Sequence, residues 1–189
     1  AQVGAFTIPS NSKDAALTTS LGAGSYTAQV SDVTGATGIS LVELYDTESV
    51  TASSRLTNVS ARAQVGVGSG ILITGFVING NVPKNVLIRA IGPALAGFGV
   101  TGVLADPRLD LYRGTTLVES NDNWGTTTLA GGTGALSTTF AQVGAFALAS
   151  ATSRDAVLLV SLAPGTYTAQ VSGINATTGV ALVEVYEVP

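Results

Sequence analysis

Cysteine, methionine and histidine are all missing from this chain of 189 residues, and tryptophan occurs once. Without cysteine there is no disulfide framework, although many secreted bacterial proteins do without one, so the compartment stays open on this ground. Without histidine or cysteine, the common nucleophile–base pairs and the usual zinc ligand sets cannot be assembled, which closes much of the enzymatic repertoire. Charge is scarce too. Charged residues make up 11% of the chain against a usual quarter, the 8 basic ones are scattered, and the net charge is −4. Nucleic acid needs a basic stripe that this chain lacks, and anionic membranes are disfavoured for the same reason. No apolar run approaches the roughly 20 residues that span a bilayer, so membrane insertion is not expected. Methionine is also absent from the first position, and a chain that opens on Ala1 reads as a processed product or an excised segment.

What is present is repetition. The tetrapeptide AQVG stands at Ala1–Gly4, Ala63–Gly66 and Ala141–Gly144. Aligning Ala1–Asp46 with Ala141–Glu187 needs one inserted residue and gives 26 identities over 46 paired positions, which is duplication. AQVGAF pairs with AQVGAF, SKDAALTTSL with SRDAVLLVSL, GSYTAQVSD with GTYTAQVSG, and ISLVELYD with VALVEVYE. The middle of the chain carries ARAQVGVGSG, KNVLIRAIGPAL and LDLYRG in the same order and reads as a diverged third copy with a long insertion. The domain expectation is an N-terminal half-unit over 1–46 and a complete β module over 47–189.

Short β-branched or aromatic segments bounded by Gly, Pro, Asn, Asp or Ser read as strands: SYTAQVS, ISLVELY, ILITGFVI, NVLIRAI, LDLYRG, AVLLVSL, TYTAQVS and VALVEVY. Tyr167, Ala169 and Val171 fall on one face, with Thr168 and Gln170 on the other, as in a half-buried strand. Val157–Leu162 is apolar on nearly both faces and suits a central strand. SDVTGATG (31–38) and SGINATTG (172–179) link matched strands as hairpin-like turns. Apart from a single turn at Ala94–Phe98, no stretch has helical spacing, and Gly125–Thr139 reads as a flexible loop or the join between copies. The expectation is an all-β protein of roughly a dozen strands. It is a β-sandwich, Ig-like or jelly-roll-like, built from duplicated antiparallel half-units with an extra N-terminal half-unit. The alternative is a three-sheet, β-prism-like monomer.

The run RLTNVSARAQVGVGSGILITGFVINGNVPKNVLIRAIGPALAGFGVTGVLADPRLDLYRG, then SNDNW, then AQVGAF and GTYTAQVSGINATTGVALVEVYE, resembles a module of large secreted or surface proteins of Verrucomicrobia-type bacteria. That module often stands beside immunoglobulin-like domains or at a C-terminus. The resemblance covers Arg55 to about Glu187 as one complete module, with Ala1–Asp46 similar to the second half of a preceding one. It implies an extracellular or cell-surface β module and no particular chemistry.

Candidate chemical residues are few. Paired carboxylates can hydrolyse a glycoside, and Glu43, Asp110, Asp122 and Glu184 are available, but Glu43 and Glu184 occupy equivalent places in LVE(L/V)Y and read as a strand feature. No enzymatic activity and no cofactor are expected. Asn121, Asp122 and Asn123 gather oxygen atoms that a hard cation could use, though without the EF-hand spacing, and Asx-rich turns form without metal. Trp124 beside them reads as a packing anchor, or, if exposed, as a stacking platform for carbohydrate. Arg89 interrupts an apolar strand and demands a partner, with Asp106 or Asp110 expected as a structural ion pair. Lys13 and Lys84 could form isopeptide crosslinks, although Lys13 is matched by Arg154, which cannot. Asn58-Val59-Ser60 and Asn175-Ala176-Thr177 fit the glycosylation acceptor pattern.

The functional expectation is an extracellular structural protein that assembles into a filament, sheath or surface layer with a matrix or adhesive role; its partners are copies of itself, with a surface polysaccharide as a further candidate. Self-assembly is expected to run head to tail through the N-terminal segment, with Ala1, Gln2, Val3, Gly4, Ala5, Phe6 and Ile8 at the subunit interface. The rival reading is a monomeric carbohydrate-binding β-sandwich of a larger secreted protein.

Overall fold

Period-two alternation of apolar residues, applied to a chain rich in valine, leucine and alanine, produces two sheets that face each other through their apolar sides. The structure, a computed structural model, describes residues 5–47 and 54–189. The chain divides into two units, Ala1–Leu56 and Thr57–Pro189.

The second unit is a sandwich of eight strands: β1 (Asn58–Val65), β2 (Leu72–Ile78), β3 (Lys84–Ile91), β4 (Pro107–Arg113), β5 (Thr116–Asn121), β6 (Ala156–Leu162), β7 (Gly165–Gly173) and β8 (Gly179–Val188). One antiparallel sheet has the order β1-β8-β3-β6 and the other β2-β7-β4-β5. Between them lie Val86, Ile88 and Ala90 of β3, Ala181, Val183 and Val185 of β8, Leu109 and Leu111 of β4, and Tyr167, Ala169 and Val171 of β7. The first sheet is apolar on its other face as well. There Leu87 and Ile91 of β3, Val157 of β6 and Tyr186 of β8 are covered by Leu95, Trp124, Leu136, Phe140, Ala145 and Leu148. Leu136 and Phe140 belong to a helix, α1 (Gly132–Val143), so the unit has three layers.

The three strands β6, β7 and β8 never pair with one another. β8 lies between β1 and β3, β7 lies between β2 and β4, and β6 pairs with β3. The five strands β1–β5 and the three strands β6–β8 are therefore interleaved halves. Neither half has the set of neighbours needed to satisfy its own backbone hydrogen-bonding groups.

This topology corrects several expectations. Eight strands form among the described residues rather than a dozen, and all of them lie in the second unit. Described residues of the first unit form no strand or helix, although SYTAQVS and ISLVELY are near-copies of β7 and β8. A lone three-strand half has no ladder partners, and that accounts for the difference. β6 is an edge strand, not a central one; its two apolar faces are explained by the helical layer on one side and the opposite sheet on the other. The tract 125–139 contains most of α1, whose sequence GTGALSTTFAQV hides a short stripe of Leu136 and Phe140 at helical spacing. The middle region is no third copy: AQVG ends strand β1 at Ala63–Gly66 but ends helix α1 at Ala141–Gly144.

The turn after β7 contains Ala176 at φ 58°, in the left-handed region that disfavours residues with a Cβ. Its counterpart in the first copy is Gly35, at φ 79°. Ala176→Gly is expected to raise stability by about 0.5–1 kcal/mol, the relieved strain less the extra freedom glycine has when unfolded. A urea midpoint that falls instead would show the turn to be relaxed with alanine.

Candidate functional site

The outer face of the first sheet carries a buried charge. Arg89 of β3 shares a face with Leu87 and Ile91 and therefore points into the helical layer, where it is fully buried. Its cross-strand neighbour on β8 is Glu184, directly opposite in register. Arg89 Nε donates to Glu184 Oε2 at 2.8 Å and Nη2 donates to the same oxygen at 2.5 Å. Nη1 donates to the Phe146 carbonyl at 2.6 Å. The guanidinium lies 4.3 Å from the ring centroid of Phe146 and 4.9 Å from that of Phe140, so two aromatic faces cover it. Tyr186, two residues along β8 on the same face, donates its hydroxyl to Glu184 Oε1 at 2.7 Å. Both carboxylate oxygens are thus engaged, as a buried ion pair requires.

AQVGAF is the clasp over this network. Ala141–Val143 finish α1, Gly144 takes the left-handed position after it, and Ala145 N–H bonds back to the Phe140 carbonyl at 2.9 Å. That reversal sets Phe146 over Arg89. A second buried acid, Asp155, anchors the turn after β3: its Oδ1 accepts from Gly92 N at 2.8 Å and Ala94 N at 3.3 Å, while Ser153 Oγ donates to Oδ2. A Cβ on Gly92 would stand 2.1 Å from the Leu104 carbonyl oxygen, so no other residue fits this turn.

The expected partners of Arg89 are engaged elsewhere. Asp110 pairs with Arg108 at 3.0 Å and Asp106 with Arg154 at 2.5 Å. Asp110 lies on β4 and Asp106 just before it, in the opposite sheet, whereas Arg89 faces the helical layer. Trp124 is 3% exposed, donates Nε1–H to the Ser150 carbonyl at 2.9 Å and leans on Phe140, so it offers no stacking face to a sugar. Asn121 ties two segments together, accepting from Val157 N at 3.0 Å and donating to the Asn123 carbonyl at 3.1 Å. Among the described residues no three aspartate or glutamate side chains gather at one point around Asp122 or elsewhere. Lys84 pairs with Glu187 at 2.6 Å. Of the expected interface residues, Ala1–Gly4 lie outside the described residues, Ala5 is half-buried, and Phe6 and Ile8 are exposed.

Sequence reasoning missed Phe146 and Asp155, and the signal that marks them is identity between copies: Phe6 matches Phe146, Asp14 matches Asp155 and Glu43 matches Glu184. Comparison with family models and with curated proteins finds no match for this chain.

Burial, and then the hydrogen bond it gives Glu184, push the Tyr186 phenol above its ordinary value of 10.0. A phenol whose folded pKa is raised contributes stability that is complete below about pH 10 and is lost as pH rises toward the folded value. Tyr186→Phe is therefore expected to flatten the fall in stability above pH 10. Identical alkaline slopes for the two proteins in urea unfolding would count against this account.

Proposed function

We propose that this chain is a structural segment of an extracellular protein built from repeated β-sandwich modules, with a matrix or adhesive role and no catalytic one. The observation that carries the reading is the interleaving of unlike halves: each module is completed by joining a five-strand half to a three-strand half. The chain holds two copies of the three-strand sequence and one five-strand half. A protein that serves by repetition has reason to duplicate such units, and a surface with few charges places little repulsion between neighbours. The resemblance to modules of large secreted bacterial proteins supports the same reading. Carbohydrate binding through Trp124 loses its support, because that ring is packed inside.

The test is location and form. Antibody labelling of intact producing cells, with electron microscopy of the purified material, is expected to place the protein outside the cell in extended assemblies. Label confined to the cytosol would reject the proposal.

A further inference from the structure

The first unit repeats the acidic and aromatic half of the Arg89 network without the arginine. Glu43 corresponds to Glu184, Tyr45 to Tyr186, Phe6 to Phe146 and Asp14 to Asp155. The short-range bonds of the second copy are already made in the first. Tyr45 donates to Glu43 at 3.0 Å as Tyr186 does to Glu184, and Ser12 donates to Asp14 as Ser153 does to Asp155. Tyr26 donates to the Gly22 carbonyl at 2.9 Å, as Tyr167 does to the Ala163 carbonyl, also at 2.9 Å. What differs is every bond that the five-strand half supplies in the second unit. Among the described residues no cation pairs with Glu43, and no amide from a glycine–proline turn reaches Asp14. Side chains that form the core of the second unit lie open in the first: Tyr26 is 59% exposed against 3% for Tyr167, and Val30 is 61% exposed against 0% for Val171.

We infer that residues 5–47 are a strand-donor half whose partner is a further five-strand half of the Asn58–Asn121 type. That partner carries an arginine on the strand opposite Glu43 and, after it, a glycine–proline turn whose amides cap Asp14. The arginine settles between Glu43 and the Phe6 ring, and the three segments around Leu17, Tyr26 and Val42 become strands by entering its sheets. This rests on the reading of the chain as part of a repeated array and names what completes its front unit. A second copy of this chain does not supply the need. Every copy brings two three-strand halves and one five-strand half, so an exchange between copies frees one donor for each that it occupies. The partner half is therefore additional to those in this chain.

The experiment joins residues 57–140 of this sequence directly before Ala1 of the intact chain, so that a five-strand half leads into AQVGAF as it does at Ala141. Backbone amide exchange is followed at Tyr26–Val30 and Leu41–Tyr45, the counterparts of Tyr167–Val171 and Leu182–Tyr186. Exchange there is expected to slow by about a hundredfold or more relative to the intact chain, as for amides that enter a cooperatively folded sheet. Glu43→Lys in the fused chain, which sets a like charge against the arginine, is expected to remove most of that protection. Rapid exchange at these amides in the fused chain, with the amides of Tyr167–Val171 in the second unit still protected, overturns the inference. So does protection that survives Glu43→Lys, or protection that appears in the intact chain merely on raising its concentration, which would make a second copy the occupant. A cytosolic location would reject the proposed function and leave these exchange rates as they are, so the two failures are distinguishable.

Discussion

Arg89→Met is expected to destabilise the second unit by about 3–5 kcal/mol, the usual cost of removing one member of a buried ion pair. The arginine is fully buried and Glu184 nearly so, and with the guanidinium gone the carboxylate keeps one partner, the Tyr186 hydroxyl, in a layer made of Leu87, Phe140 and Phe146. The Phe146 carbonyl loses its donor at the same time. Replacing the whole network, with Arg89→Met, Glu184→Leu and Tyr186→Phe together, removes the stranded charge, and this triple variant is expected to be more stable than the single one. Urea unfolding followed by tryptophan emission measures all of them. If Arg89→Met costs less than about 1 kcal/mol, the pair is solvated and the layer over it is looser than described.

Trp124→Ala is expected to cost about 3–5 kcal/mol, as for other large aromatic truncations in a packed interior. The ring closes the outer layer against Phe140, and its Nε1–H satisfies the Ser150 carbonyl. Trp124→Phe keeps most of the packing and leaves that carbonyl without its donor, so it should cost about 1–2 kcal/mol. Because this is the only tryptophan in the chain, its emission in the intact protein should be that of a shielded indole, weakly quenched by acrylamide. Strong quenching would place the ring at the surface and restore it as a candidate sugar platform.

Most of the sandwich was legible because its strands bury one face. ILITGFVI, NVLIRAI, LDLYRG, AVLLVSL, TYTAQVS and VALVEVY all announce β2, β3, β4, β6, β7 and β8 by alternation or apolar content. β1 and β5 escaped notice because they are edge strands with mostly exposed side chains, so burial imposes little pattern on them. The helix was hidden by glycine and threonine, which favour helix poorly; packing on the first sheet overrides that preference. That Arg89 needs a carboxylate follows from its neighbours in sequence. Which carboxylate depends on a register joining residues 95 positions apart, and no local pattern encodes it. The same long-range dependence explains why SYTAQVS and TYTAQVS, alike in six of seven positions, have different fates: only the second has β2 and β4 beside it.

The antiparallel pairing of β1 with β8 has a mechanical consequence. Asn58, where the chain enters the sandwich, stands opposite Tyr186, near where it leaves. Tension applied through the two flanking segments meets the β1–β8 ladder at one end and opens it rung by rung, so each rung resists singly instead of all resisting in shear. β1 is an edge strand with no second neighbour to hold it. A string of such modules would yield early and lengthen under load, and pulling on a single module by its ends should register a low first force.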